Sequence, residues 1–518
     1  MTEQQHSLVD LARASARTYG DLPAIVFNGR TTTHAAFDQI SDRVAAGLAE
    51  RGIGPGDRVG LYCVNSDAFA FAYFGILKAG ATVVPVNLLL NPKEVAYILK
   101  DAGVKGLIYF ELFAEAVKSL RDQVPGVGCR VCIGANNPLG DVSFTELLSC
   151  TTPPLQHSID PSSLAAILYT SGTTGHPKGA MLSHRNLASN VDSIREALQL
   201  TPGKDVLLCV LPMFHAFAAT VCMIFPLTNG CTVVPVPKFD PQQVADLVAT
   251  HHVTVLPMVP SMFSVLLRLP DSEINKFASL HYAVSGGAAM PVEVMRQFEA
   301  KFGKFVYEGD GPTECSPVTC VNPIGGVRKP ASVGLPVPRV EMKIVDERGH
   351  EVPHGTIGEI VVRGPNVMKG YWNHPEETKE AFFGEWFRTG DLGTEDDDGY
   401  FYIVDRKKDM IIVNGMNVYP RVIEEVLYKH PAVREAAVVG DPDELHGEIP
   451  VAYVSLKEGA EATPQALRQY CRDNLGRHEV PRKFTIIPQL PKNAAGKILK
   501  RELRKTGEHE RGVDAKKL

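Results

Sequence analysis

Between Tyr169 and Gly179 the chain reads YTSGTTGHPKG. An apolar run (Leu164, Ala165, Ala166, Ile167, Leu168) leads into Thr170, Ser171, Gly172, Thr173, Thr174 and Gly175, and Lys178 closes the stretch. A strand that delivers small hydroxyl residues and glycines surrounds a polyphosphate with backbone N–H groups, hydroxyls and one ammonium. Glycine lets the backbone approach the oxygens where a Cβ would clash. The stretch is not a Walker loop, because Pro177 precedes the lysine and no Gly-Lys-Ser/Thr closes it. A solvated Gly/Ser/Thr linker would need neither the apolar run before it nor a lysine at its end.

Further along lie other residues with chemical potential. Ser285-Gly286-Gly287-Ala288 ends an apolar run and precedes Pro291, a good first-turn residue for a helix. In Glu308-Gly309-Asp310-Gly311-Pro312-Thr313-Glu314 the last carboxylate suits Mg²⁺, directly or through water. Trp386-Phe387-Arg388-Thr389-Gly390-Asp391 offers a carboxylate able to accept from both hydroxyls of a ribose. Asp405-Arg406-Lys407-Lys408-Asp409 and Pro491-Lys492-Asn493-Ala494-Ala495-Gly496-Lys497 follow. Each alone reads equally well as a surface turn.

Their order and spacing from Tyr169 to Lys497 resemble the AMP-forming, acyl-adenylating ligases: acyl-CoA synthetases, luciferases and the adenylation domains of peptide synthetases. The resemblance runs through essentially the whole chain. It implies an N-terminal domain over 1–403, a hinge over 404–410 centred on Lys408, and a mobile C-terminal lid over 411–518. It implies that Thr170–Lys178 holds the β- and γ-phosphates, and that Gly286–Ala288 and Glu308–Asp310 enclose the adenine. Thr313 then touches the α-phosphate, Glu314 binds Mg²⁺, Asp391 and Arg406 hold the ribose, Lys497 is the adenylation lysine, and Gly415 faces the CoA arm. ATP, Mg²⁺ and CoA are the implied cofactors. One position departs from the pattern: Asp310 stands where the family carries an aromatic. A carboxylate there would accept from the adenine amino group instead of stacking.

The acid is addressed by Leu211-Pro212-Met213-Phe214-His215-Ala216-Phe217, similar to the LP-x-FH stretch of fatty acyl-CoA and aryl-CoA ligases. Amino-acid-activating relatives have Asp at the His215 position. Met213, Phe214 and Gly286 are the expected substrate pocket, with Phe217, Met223, Val259 and Met262 as further apolar lining, although such residues are more often plain core. Val413–Pro420 resembles the long-chain fatty acid enzymes. A medium- to long-chain fatty acid is therefore the expected substrate. An aryl acid, a carrier-protein acceptor and luciferase-like oxidation are the alternatives. A catalytically dead nucleotide sensor is disfavoured by Lys178, Glu314, Asp391 and Lys497.

These residues need a scaffold, and the hydrophobic patterning supplies one. Phe37, Ile40, Val44 and Leu48 mark a helical face; 58–64, 81–86, 104–109, 253–259 and 280–285 read as strands between helices over 69–78, 94–101 and 242–250. Such alternation predicts an α/β fold with parallel sheets covered on both faces. From Val333 short strands (340–346, 358–363) predict a β-rich subdomain. After Asp405 a βα pattern begins again, with helices over 423–427 and 468–474 and strands over 436–439, 451–456 and 484–487. This predicts a small α+β domain.

At 518 residues the chain exceeds a single core. A net charge of −6, 44% hydrophobic and 22% charged residues give no reason to expect nucleic acid. Cys129 and Cys132 form a lone CxxC, expected to be ordinary thiols rather than a metal site. The N-terminal residues lack a secretory layout and no apolar stretch spans a membrane, so a cytoplasmic enzyme acting on a small carboxylic acid is expected, with a homodimer left open.

Overall fold

The computed structural model describes residues 6–152, 158–170, 177–443, 445–493 and 496–504. Among these, four sheets organise the chain. The first runs Val142–Ser143, Cys129–Ile133, Gly106–Phe110, Arg58–Tyr62, Thr82–Pro85, Leu164–Thr170, Lys178–Ser183 in spatial order. Its strands are parallel except the last, which returns antiparallel to Leu164–Thr170. The second places Val306–Asp310, Tyr282–Ser285, Val255–Met258, Val206–Cys209, Thr232–Pro235 and Pro23–Phe27 side by side and parallel, with short antiparallel strands at both edges. Strands such as Thr82–Pro85 and Val255–Met258 are buried along their whole length, because helices cover both faces. The expected alternation is thus present, with boundaries shifted by no more than two residues.

The helix His34–Ala49 buries Phe37, Val44 and Leu48 and leaves Ile40 half-buried. Cys129 and Cys132 sit on one strand at odd spacing, so their side chains leave opposite faces. Both are buried, and among the described residues no group of three or more His, Cys, Asp or Glu could hold a metal. No helix of the described residues is long and apolar enough to cross a membrane.

The third sheet is antiparallel: Glu341–Val345, Gly358–Arg363, Trp386–Glu395 and Phe382–Phe383, with Phe401–Arg406 on Trp386–Glu395. It runs three residues past Ile403. The fourth begins at Ile411–Val413 and combines Met416–Val418, Gly447–Leu456, Val433–Asp443 and Lys483–Ile486 with the helices Pro420–Tyr428 and Pro464–Asn474. It has its own core, including Val418, Ile423, Leu427, Val438, Val454 and Leu467. Between Arg406 and Ile411 the chain leaves one sheet for the other, and Lys408 is exposed there.

One buried side chain ties the two parallel sheets together. Asn65, 5% exposed after the strand Arg58–Tyr62, reaches the carbonyls of Cys209 (3.2 Å), Leu211 (2.8 Å) and Val236 (3.1 Å) and accepts from the Met213 N–H (2.7 Å). It therefore fixes the segment leading to His215. Asn65→Leu orphans these backbone groups. It should lower unfolding free energy by about 3 kcal/mol, read as a reduced denaturant midpoint at unchanged slope.

Candidate functional site

The strands Leu164–Thr170 and Lys178–Ser183 on either side of the motif pair antiparallel, with Tyr169 opposite Gly179 and Thr170 opposite Lys178. Ser171, Gly172, Thr173, Thr174 and Gly175 lie outside the described residues. The two ends of the loop are defined. The Thr170 hydroxyl lies 3.5 Å from Glu314 Oε1, and Lys178 Nζ lies 4.0 Å from Glu377 Oε1.

Tyr371, which the sequence analysis missed, joins both ends. Its hydroxyl donates to Glu314 Oε1 at 2.9 Å, and Lys178 Nζ stands 5.6 Å from its ring centroid. Burial and the neighbouring carboxylate raise the phenol's pKa, so it stays a donor. Both hydrogen bonds to the Glu314 side chain among the described residues land on Oε1, and none on Oε2. One carboxylate fits Mg²⁺, which takes its remaining ligands from phosphate and water.

Beside this corner opens a cleft of about 600 Å³, counting its mouth, at the ends of the strands Tyr282–Ser285 and Val306–Asp310. His215, Gly286, Gly287, Gly309, Asp310 and Thr313 line its polar part. Gly287 has φ +75°, which suits glycine, and a Cβ on Gly311 would fall 1.4 Å from the Pro317 carbonyl oxygen. Ile194, Ala197 and Leu198 of the helix His184–Leu198, with Phe217, Val221, Val318 and Val321, make the apolar part. Of the expected substrate pocket, Gly286 lines the cleft, but Met213 is fully buried and neither it nor Phe214 contributes to the wall. Asn65 holds Met213 inward through its backbone, and the π-helical turn Ala218–Ile224 presents Phe217 and Val221 instead. Met223 and Met262 are likewise buried outside the cleft lining. The helical wall was missed because an i, i+3, i+4 apolar pattern reads as ordinary core.

Glu308 also differs from expectation. It is 1% exposed, lines no part of the cleft, and accepts from the Met290 N–H at 2.9 Å, bracing the turn that carries Gly286–Ala288. Burial pushes its carboxyl up to about 7, while Arg421 and the Met290 bond oppose the rise. Ala288 is half-buried on that turn, outside the cleft lining.

Asp391 and Arg406 face each other across neighbouring strands, Nε to Oδ1 at 2.9 Å, with Asp391 4% exposed. Asp310 feels both: burial and the Asp391 charge raise its carboxyl to about 6, against the pull of Arg406 and Lys497. Lys497 arrives from the C-terminal domain on a loop pinned by Ser261, whose hydroxyl donates to the Gly496 carbonyl at 2.9 Å. Burial and the Arg406 charge lower its ammonium to about 8, offset by Asp391 and Asp310. Burial, then Lys497, lowers His215 to about 4, so this imidazole is neutral at physiological pH. Gly415 sits on the exposed hairpin turn between Ile411–Val413 and Met416–Val418, away from the cleft.

The chain matches the AMP-binding enzyme family over residues 12–372 and the AMP-binding enzyme C-terminal domain over 422–497. A long-chain-fatty-acid–CoA ligase of Bacillus subtilis strain 168 is 37% identical over 533 residues, covering 96% of this chain and 94% of its own. The ATP-bound MatB structure from Rhodopseudomonas palustris has a TM-score of 0.88 at 34% identity, covering 96% and 98% of the two chains. An anthranilate CoA ligase in complex with anthranoyl-AMP has a TM-score of 0.91 at 28% identity, covering 98% of each.

Tyr371→Phe should raise the Mg²⁺ concentration needed for half-maximal pyrophosphate release about tenfold, with KM for the acid unchanged, in a Mg²⁺ titration at fixed ATP. Lys497 is charged below its lowered pKa, so kcat/KM for ATP should fall as pH rises through about 8. Lys497→Arg should remove that alkaline limb, since guanidinium keeps its proton.

Proposed function

This chain belongs to the AMP-binding enzyme family, and from that premise we propose that it activates a medium- to long-chain fatty acid with ATP and passes the acyl group to CoA. The substrate carboxylate, ionised at neutral pH, attacks the α-phosphorus, and the bond to pyrophosphate breaks. The thiolate of CoA then attacks the acyl carbonyl, the bond between the acyl carbon and the bridging oxygen breaks, and AMP leaves with that oxygen and its electron pair.

The observation that carries this reading is the meeting of Lys497 with Asp310, Asp391, Arg406 and His215, from two domains, beside an apolar cleft. In the first step Lys497 neutralises charge developing on the phosphates, and Lys178 with Thr170 and the loop N–H groups hold the β- and γ-oxygens. Thr313 contacts the α-phosphate. Mg²⁺ on Glu314 supplies a Lewis acid for the same oxygens when bound. Asp391 and Arg406 hold the ribose, and Asp310 accepts from the adenine amino group in place of a stacking ring. Neutral His215 borders the acid without offering a positive partner to its tail.

Thioester formation needs a different approach to the carbonyl. A lid spanning 411–518 turns about Lys408, withdraws Lys497 and presents the Gly415 face, whose missing side chain admits the pantetheine arm. A cytoplasmic setting fits the ten free cysteines.

The fatty acid assignment rests on Ile194, Ala197, Leu198, Val221 and Val318 lining the inner wall without a charged group among them. Each added methylene should contribute about 0.8 kcal/mol, so kcat/KM should climb with chain length and drop where the wall ends. A maximum on an aryl acid would move the assignment to aryl-CoA ligase, and an amino acid preference would sink it. Lys497→Ala should lose ~10²–10³ in acyl-adenylate formation, yet still convert supplied acyl-adenylate and CoA to thioester. Equal damage to both half-reactions would refute the two-orientation lid.

A further inference from the structure

We propose that Arg421 and Glu425, on the first lid helix Pro420–Tyr428, form a latch that holds the lid in the orientation placing Lys497 beside His215 and Asp310 of the cleft. The inference rests on the two-orientation reading above and adds what stabilises one of those orientations.

Arg421 has a side chain only 11% exposed and makes three contacts with residues before the junction. Its backbone N–H donates to Asp405 Oδ2 at 2.8 Å, and Nη1 donates to the Ile403 carbonyl at 2.5 Å. Nη2 lies 4.0 Å from Oε1 of the buried Glu308. One helical turn on, burial raises the Glu425 carboxyl, while the Arg421 charge and the backbone of Val292, first residue of the helix Val292–Phe302, oppose the rise. That helix has Pro291 at its N-cap and no side-chain cap bond, so the lid carboxylate lies at an end with orphan donors. The Arg421 guanidinium offsets part of the cost of burying both Glu308 and Glu425.

These contacts join the lid to residues that precede Arg406, so a rotation about Lys408 that withdraws Lys497 breaks them together. Glu308 would then lose its countercharge while its Oε2 already has no hydrogen-bond partner among the described residues, and Glu425 would leave the N-terminal end of the helix Val292–Phe302. Neither Arg421 nor Glu425 lines the cleft, so both act through the position of Lys497. They are positioning residues for the first half-reaction.

The test uses the full chain with Arg421→Ala, Arg421→Lys and Glu425→Ala. Two rates are read separately: acid-dependent pyrophosphate–ATP exchange, and conversion of supplied acyl-adenylate with CoA to thioester. Exchange should fall about tenfold in the alanine variants, because the adenylating orientation is less populated, while thioester formation is unchanged or faster. Arg421→Lys should recover part of the exchange. Equal losses in both half-reactions would overturn the latch in favour of plain packing, and unchanged rates in both would overturn it as an idle contact. A wild-type chain inactive in both reactions across the acid panel would overturn the ligase reading itself, and the latch with it.

Discussion

Four charges crowd one corner, Asp391 buried and Lys497, Arg406 and Asp310 half-buried. Arg406 and Asp391 satisfy each other directly at 2.9 Å. The remaining two are compromised, Asp310 pushed up to about 6 and Lys497 down to about 8. Burial taxes each charged form, and the nearest like charge adds to the tax. In the proposed reaction a polyphosphate entering this space would meet an ammonium whose charged form it favours, and negative charge growing during bond making would be answered by a group already in place. The residues nearby have to hold this cluster without neutralising it.

The scaffold does so by ending parallel strands at one edge. Val206–Cys209, Val255–Met258, Tyr282–Ser285 and Val306–Asp310 run side by side, and each is followed by residues of the site or its supports. Those are His215, Ser261, Gly286 and Thr313. In open α/β sheets ligands bind beyond the carboxyl ends of the strands. Asn65 adds the cross-brace between the two sheets, and Glu308 braces the Gly286 turn from beneath through the Met290 N–H. Such buried polar groups are costly unless bonded, which makes them strict about geometry.

The acid side is governed by a different constraint. The apolar part of the cleft is walled by a helix face, and Phe217 approaches Gly286 so closely that a Cβ there would meet the ring at 3.1 Å. Under the proposed function, chain selectivity would depend on packing at Ile194, Ala197 and Leu198.

By itself the sequence determined the α/β class, the β-rich stretch after Val333, the independent small domain and the candidate nucleotide residues. Hydrophobic period and local chemistry are written in neighbouring residues: 358–363 reads as a strand and is one, and Asp391 and Arg406 fall on strands that pair. Tertiary structure decided what depends on contacts far apart in the chain. Tyr371 meets Glu314 across 57 residues, and Gly496, next to Lys497, docks on Ser261, 235 residues away. Met213, in a turn, is core and Ile194, on a helix, lines the cleft, because an apolar residue looks the same in sequence whether it packs on protein or faces a cavity. Glu308 looked like a nucleotide contact from its place beside Asp310; its burial, and the arginine that approaches it from the lid, belong to the assembled fold alone.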